Sequence, residues 1–248
     1  MTRVVIVTGA SGGIGSAIAK KFGSTGAKVV VNYNRSAQEA EAVAKEINQG
    51  PGEAFAFKAD VRNYQEIEKM VAATLDKWGR IDVLVNNAGG SRKDIREGGR
   101  RVWELEPDVW NTVIDINLKG TFLCTRAVAP QMIKQGGGDI VNISSGAGVQ
   151  GTKGSCAYSA AKAGVIGFGK SIARELGDYN IKVNTILPGM IPHKNIIKAA
   201  ADVEHYKQAN AVLHRNQTPE ELASIVVFLT GLQNMSGQTV KIDSSIIT

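Results

Sequence analysis

Cysteine and proline are scarce in this sequence, and each scarcity excludes something. The two cysteines, Cys124 and Cys156, lack any metal-ligand spacing, and in a chain of intracellular character they are expected to be reduced rather than bridged. No metal site is expected. Only 6 prolines stand against 28 glycines, a balance that suits many tight turns between strands and helices. No apolar run approaches the ~18 residues of a membrane span. The first run, Val4–Val7, follows Met1-Thr2-Arg3 directly and is too short for a secretory h-region. The expectation is a cytoplasmic protein with no membrane partner. Internal repeats, low-complexity tracts and composition breaks are also missing, so residues 1–248 are expected to form a single domain. The net charge is +6 and the pI about 9.3, but the cations are scattered with no aromatic-interleaved basic stripe, which argues against nucleic acid.

What is present is strand–helix alternation from end to end. Short apolar runs occupy Val4–Val7, Lys28–Val31, Ala54–Phe57, Ile81–Val85, Ile140–Ile143, Val183–Leu187 and Thr239–Ile242. Runs that are apolar throughout, rather than alternating, predict a sheet buried on both faces and therefore parallel. Between them, Ile67, Met70, Val71, Thr74, Leu75 and Trp78 fall on one helical stripe. The segment Pro107 to Gln135 is long for one helix, and Pro130 should kink or break it. The pattern predicts an α/β fold, a doubly wound, Rossmann-like parallel sheet of seven strands with helices on both faces.

The first strand runs into Thr8-Gly9-Ala10-Ser11-Gly12-Gly13-Ile14-Gly15, which opens a helix. Glycines here permit a tight turn, close approach to a pyrophosphate and close packing of helix on strand. The helix N-terminus then offers free N–H groups and a positive dipole end to phosphates. A glycine turn needed only for packing is the competing reading. The spacing is Gly-x3-Gly-x-Gly rather than the commoner Gly-x-Gly-x-x-Gly.

A second stretch runs from Ser144 to Lys162. Tyr158 and Lys162 are four apart in a helix-friendly context, so they share one helix face. A phenol titrates near ~10 in water, and a fixed ammonium beside it favours the phenolate. Ser145 follows the run Ile140–Ile143 and so lies at a strand's carboxyl end, where open α/β sheets place their ligands. Alone, a Tyr-x-x-x-Lys spacing reads as an ordinary amphipathic face, and its weight comes from what else the chain carries. Asn117 stands in an apolar helical context, where an Asn disfavours the helix unless its side chain has a purpose; a core polar link is the alternative.

Taken together, Thr8 to Gly15, Asn86-Asn87-Ala88-Gly89, Asn117, Ser145 and Tyr158-x3-Lys162 resemble, in order and spacing, the short-chain dehydrogenase/reductase family. The likeness runs from about Arg3 to Asp243 and is greatest to 3-oxoacyl-carrier-protein reductases. It implies that Ser145 hydrogen-bonds a substrate carbonyl, that Tyr158 donates a proton to it, and that Lys162 lowers the tyrosine pKa and binds the nicotinamide ribose. It also implies that Asn117 holds a water linking the lysine to a proton relay. Cofactor contacts are implied for Gly9, Ser11, Gly13, Ile14, Gly15, Asp60, Val61, Asn87, Ala88, Gly89, Tyr158, Lys162, Pro188 and Gly189. Relatives that prefer NAD place a carboxylate after the second strand. Here that place falls on Tyr33, followed by Asn34-Arg35-Ser36, and a guanidinium there suits the 2′-phosphate of NADP(H). Arg35 as a solvated surface charge is the competing reading.

Three departures from the family stand out. The loop after the sixth strand carries His193 in place of a threonine; the imidazole can substitute for it, or be a loop residue with no role. The usual Asp-Gly-Gly near the end is Asp243-Ser244-Ser245, which bears on the packing behind the family's tetramers. The segment after Gly89 is long and basic, with Arg92, Lys93, Arg96, Arg100 and Arg101 against Asp94 and Glu97. It is either a solvated loop or a capture surface for an anionic substrate. Carrier-protein readers often bear basic residues at two helix ends; here those ends read Gln135-Gly136-Gly137-Gly138 and Gly177-Asp178-Tyr179 with only Lys134 and Arg174 near, which weakens an acyl-carrier substrate. The sequence therefore predicts an NADP(H)-dependent reductase of a ketone, acting on a small carbonyl or alcohol substrate as a homotetramer, with residues 189–217 as a lid. A sugar, polyol or cyclitol dehydrogenase and a non-catalytic dinucleotide sensor are the alternatives.

Overall fold

The structure, a computed structural model, describes residues 2–90, 99–189, 191, 212–215 and 217–243. Seven strands form one sheet: β1 (Val4–Val7), β2 (Lys28–Tyr33), β3 (Glu53–Lys58), β4 (Val83–Asn86), β5 (Gly138–Ile143), β6 (Ile181–Pro188) and β7 (Thr239–Ile242). Their order is β3-β2-β1-β4-β5-β6-β7, and all six pairings are parallel. The expected apolar runs coincide with these strands to within two residues at each end. The extra residues are mostly polar or glycine, such as Gly138 and Asp139, which pair with Ile181 and Lys182. A ladder hydrogen bond needs a backbone, not an apolar side chain, so hydrophobicity underestimates strand length.

Helices cover both faces, which explains why the strands are apolar throughout. Val5, Val7, Val29 and Val31 point to a core shared with α1 (Gly13–Ser24), α2 (Ala37–Asn48) and α8 (Pro219–Leu229). Ile6, Val30 and Leu84 point the other way, onto α3 (Tyr64–Trp78), α5 (Gly120–Gln135) and α7 (Cys156–Gly177). The stripe read from the sequence is the inner face of α3: Ile67, Met70, Val71 and Thr74 are buried, and Leu75 and Trp78 pack at its edge. Asn63 starts that helix by accepting the N–H groups of Gln65 and Glu66, and Gly79 ends it in the left-handed region (φ 74°).

The stretch Pro107 to Gln135 departs from expectation. Pro130 does not break it but sits inside α5. The interruption comes earlier, as a π-helical turn over Asp115–Lys119 joining α4 (Pro107–Ile114) to α5. Its cause is Asn117, which is fully buried and whose Nδ2 donates to the Val113 carbonyl at 3.0 Å, in competition with the helix's own ladder.

Chain direction across the sheet reverses between β1 and β4, so a crevice opens at their carboxyl ends. The helix ends at Gln135–Gly138 and Gly177–Tyr179 lead into β5 and β6 and therefore lie at the opposite, amino edge. Their lack of basic residues says nothing about the mouth of this chain's own crevice. Among the described residues, no helix is long and apolar enough to cross a membrane.

Candidate active site

The floor of the crevice is a knot between the ends of β1 and β4. Thr8 Oγ1 accepts the N–H groups of Asn87 and Ala88, both at 2.9 Å. Asn87 Nδ2 answers by donating to the carbonyls of Thr8 (2.9 Å) and Gly9 (3.2 Å). Gly9 lies in the left-handed region (φ 63°), and a Cβ there would stand 2.9 Å from the Ala88 Cα. Only glycine meets both demands. Gly15 is buried at the same knot, where a Cβ would stand 2.5 Å from Asn87 Nδ2. Gly12 and Gly13 are exposed, with nothing within 4 Å of where their Cβ atoms would be. Helix α1 starts here with no side-chain cap and no acidic residue in its first turn, while Ser11 and Ile14 flank it half-buried. An open glycine shelf on an uncapped, uncharged helix N-terminus fits a pyrophosphate.

A residue not singled out from the sequence ties this shelf to its neighbours. Asn32 is 1% exposed; its Oδ1 accepts the Gly9 N–H at 3.1 Å, and its Nδ2 donates to the Ala59 carbonyl at 3.0 Å. An Asn directly after the run Val29-Val30-Val31 was the signal available, since β-strands disfavour it. Two positions on, Asn34 Nδ2 donates to Asp60 Oδ2 at 2.9 Å, joining the turns after β2 and β3. Arg62 also grips Asp60, its Nε 3.0 and 3.1 Å from the two oxygens, and chiefly for that reason the Asp60 carboxyl is held below its usual range. Arg35 and Ser36 are exposed beside Asn34. Val61 lies under the start of α5, 2.8 Å from where a Gly120 Cβ would be.

Across the crevice, α7 begins at Cys156, so Tyr158 is in its first turn and Lys162 one turn later. Lys162 is 3% exposed, and its Nζ donates to the Ile143 carbonyl at 2.9 Å and stands 5.6 Å from the Tyr158 ring centroid. Burial pushes its pKa down to about 8. Ser144 Oγ donates to the Lys162 carbonyl at 2.8 Å, so two bonds lash the end of β5 to α7 around this lysine. Ser144 was also not anticipated; nothing in the pair Ser144-Ser145 tells which hydroxyl turns inward. Ser145 stays half-buried, its Oγ accepting the N–H of Ala147 at the start of the short α6 (Ala147–Gln150) at 3.2 Å. Asn117 approaches from the π turn, its Oδ1 accepting the Gly90 N–H at 2.8 Å. A Cβ on Gly89 would stand 2.5 Å from Asn117 Oδ1 and 3.3 Å from Lys162 Nζ, so these three residues meet in one place. Tyr158 packs beside Leu105, Val109 and Ile116 on the buried Val113 and Ala157.

Pro188 closes β6 opposite Ile242, and the Gly189 N–H donates to the Ile242 carbonyl at 2.7 Å. Most of the expected lid with His193, together with Arg92, Lys93, Arg96 and Ser244-Ser245, lies outside the described residues.

The sequence profile of the short chain dehydrogenase family matches residues 3–204. A 3-oxoacyl-[acyl-carrier-protein] reductase of Synechocystis is 43% identical over 253 aligned residues, covering 99% of this chain and 97% of the relative. One from Staphylococcus aureus is 37% identical, covering 98% and 97% respectively. A crystal structure described as a short-chain dehydrogenase/reductase of Burkholderia xenovorans superposes with a TM-score of 0.90 at 28% identity, covering 98% of this chain and 97% of that one. With the crevice, the glycine shelf and the buried lysine in place, these likenesses establish that the chain belongs to the short-chain dehydrogenase family of oxidoreductases.

Proposed function

We propose that the chain is an NADP(H)-dependent ketoreductase whose substrate is a 3-oxoacyl thioester. The observation that carries the reading is Lys162: a lysine buried one helical turn from a tyrosine, at the carboxyl edge of the sheet, beside a shelf fitted to a pyrophosphate. Burying an ammonium is costly, and a fold keeps one there for a use. Gly9, Ser11, Gly13, Ile14 and Gly15 hold the phosphates. Asn87, Ala88, Gly89, Pro188 and Gly189 line the path toward Tyr158, and Asp60 and Val61 border the adenine. When bound, the nicotinamide dinucleotide supplies the hydride.

The chain's own residues orient the ketone and manage the proton. Ser145 Oγ donates a hydrogen bond to the carbonyl oxygen. Tyr158 Oη gives its proton to the alkoxide as it develops, and the Lys162 ammonium stabilises the phenolate left behind. Asn117, wedged between Gly89-Gly90 and Val113, keeps the π turn against Lys162 and holds the water that returns a proton to it. The turn after β2 offers no carboxylate, since Asn34-Arg35-Ser36 precedes α2 and Asp60 is already gripped by Arg62 and Asn34. Arg35 is therefore assigned to the 2′-phosphate. The relatives' names favour the thioester over a sugar or polyol. Following NADPH consumption against a panel of 3-oxoacyl thioesters, simple ketones and sugars tests the assignment. Turnover confined to sugars or polyols would replace it with the dehydrogenase alternative, and binding of NADPH without turnover of any ketone would leave a dinucleotide sensor.

A further inference from the structure

Residues 99–105 form a lip beside Tyr158 that the reaction outlined above does not use. Leu105 packs with Tyr158 on Val113 and Ala157. Gly99 N–H donates to the Gly154 carbonyl at 3.1 Å, and the approach is so close that a Cβ on Gly154 would stand 2.8 Å from the Gly99 Cα. The lip is thus pinned at both ends to the elements that carry the tyrosine. Between the pins, Trp103 is 76% exposed and Val102 is 69% exposed. The Arg101 guanidinium lies 5.8 Å from the Trp103 ring centroid, and Arg100 precedes it in the chain.

An indole left in water contributes nothing to a core, and exposed apolar surface at a site mouth points to a ligand. An exposed indole with one guanidinium over its ring, and a second arginine next in the chain, suits a planar base that carries phosphates, through stacking on the open face and charge-assisted hydrogen bonds. Among the described residues of the lip the cations are Arg100 and Arg101, while Glu104, whose carboxylate accepts the Arg101 backbone N–H at 2.8 Å, and the exposed Glu106 and Asp108 lie close by. An extended acidic protein surface would meet those three carboxylates, whereas a small phosphate ligand engages the two arginines alone. We propose that this lip binds the adenosine-phosphate end of a coenzyme A thioester, whose flexible arm carries the ketone past Leu105 to Tyr158.

The inference rests on the ketoreductase reading, and its test separates the two. Acetoacetyl-coenzyme A and acetoacetyl-N-acetylcysteamine share the ketone and the thioester, but only the first has the nucleotide. The unmodified enzyme should show a KM lower by about tenfold or more for the coenzyme A ester. Trp103→Ala, and Arg100→Ala with Arg101→Ala, should each erase most of that preference while leaving kcat/KM for the short thioester unchanged. Added salt should shrink the arginine effect and spare the tryptophan effect. The proposal is overturned by equal KM values for the two esters or by variants that harm both substrates alike. It is equally overturned if the variants lose only activity on acetoacetyl-acyl-carrier protein, or if Trp103→Ala dissociates an oligomer, since the lip would then read a protein. Should neither thioester be reduced, the ketoreductase reading fails by itself and calorimetric titration with coenzyme A decides the lip. Binding that Trp103→Ala weakens about tenfold retains it, and its absence removes it.

Discussion

Lys162 concentrates the account at the residue scale, because its burial has a thermodynamic signature apart from catalysis. Its folded pKa is about 8 against an ordinary value of 10.5. Between those two values the unfolded chain binds the proton that the folded chain has lost, so this residue's contribution to stability rises with pH across the window. Below pH ~8 both states are protonated and the burial penalty is fully present. In Lys162→Met that slope vanishes. Chemical denaturation at pH ~7.5 and ~10 should therefore show the unmodified protein gaining roughly 1–3 kcal/mol relative to the variant. An unchanged difference would mean that the lysine is not buried as described. At Arg35 the expectation concerns the cofactor: Arg35→Ala should weaken NADPH binding about ten- to hundredfold and leave NADH nearly untouched, the worth of one charged hydrogen bond. Isothermal titration with both dinucleotides checks it, and equal affinity of the unmodified protein for the two would contradict it. Of the residues at the site, the glycines and Asn117 stood out in the sequence by being unusual for their context, whereas Tyr158 and Lys162 stood out only because they fall in register with the other motifs of a family. Asn32 and Ser144 did not, because their work is hydrogen bonding to backbone atoms that come together only in the folded chain.

At the scale of elements, the π turn over Asp115–Lys119 shows where one-dimensional reasoning fails. Proline is the known helix breaker, so Pro130 drew the expected break, yet α5 runs through it. The competing hydrogen bonds of a buried asparagine shift the ladder instead, and they depend on Gly90, 27 residues away in sequence. The strands, by contrast, were legible nearly to their ends, since burial on both faces requires apolar runs that composition alone reveals. Gly89 tests the packing of the π turn. It sits at φ 156°, and a Cβ would press on Asn117 Oδ1 and approach Lys162 Nζ. Gly89→Ala should lower Tm by several degrees, for a cost of about 1–3 kcal/mol. It should reduce kcat more than Gly177→Ala, at the far end of α7, whose Cβ would meet open space. Equal kcat in the two variants would detach the π turn from the chemistry.

For the whole molecule, the doubly wound order puts every group discussed at one edge of one sheet, although their sequence positions run from Thr8 to Gly189. That convergence is why motifs dispersed through the chain could be read as a single site. The outer surfaces of α5 and α7 leave Phe122 43% and Ile133 38% exposed, with Phe122 edge-on to Phe168 at 6.3 Å. Apolar aromatic surface on two adjacent helices suits a partner of the same kind. We expect a homotetramer, or a dimer with the altered tail at Ser244-Ser245. Light scattering at micromolar concentration checks this, and a stable monomer would contradict it. Phe122→Glu should dissociate the assembly without unfolding the protomer.

The central claim is that Tyr158 is the proton donor of a ketone reduction. Single-turnover reduction of acetoacetyl-N-acetylcysteamine by enzyme preloaded with NADPH, compared between the unmodified protein and Tyr158→Phe, tests it most directly. That thioester lacks the nucleotide tail, and preloading removes cofactor affinity from the rate, so only the chemical step is read. The account predicts a fall of about 10²–10⁴ in Tyr158→Phe, with NADPH affinity and Tm nearly unchanged. A rate within a few-fold of the unmodified protein would contradict it.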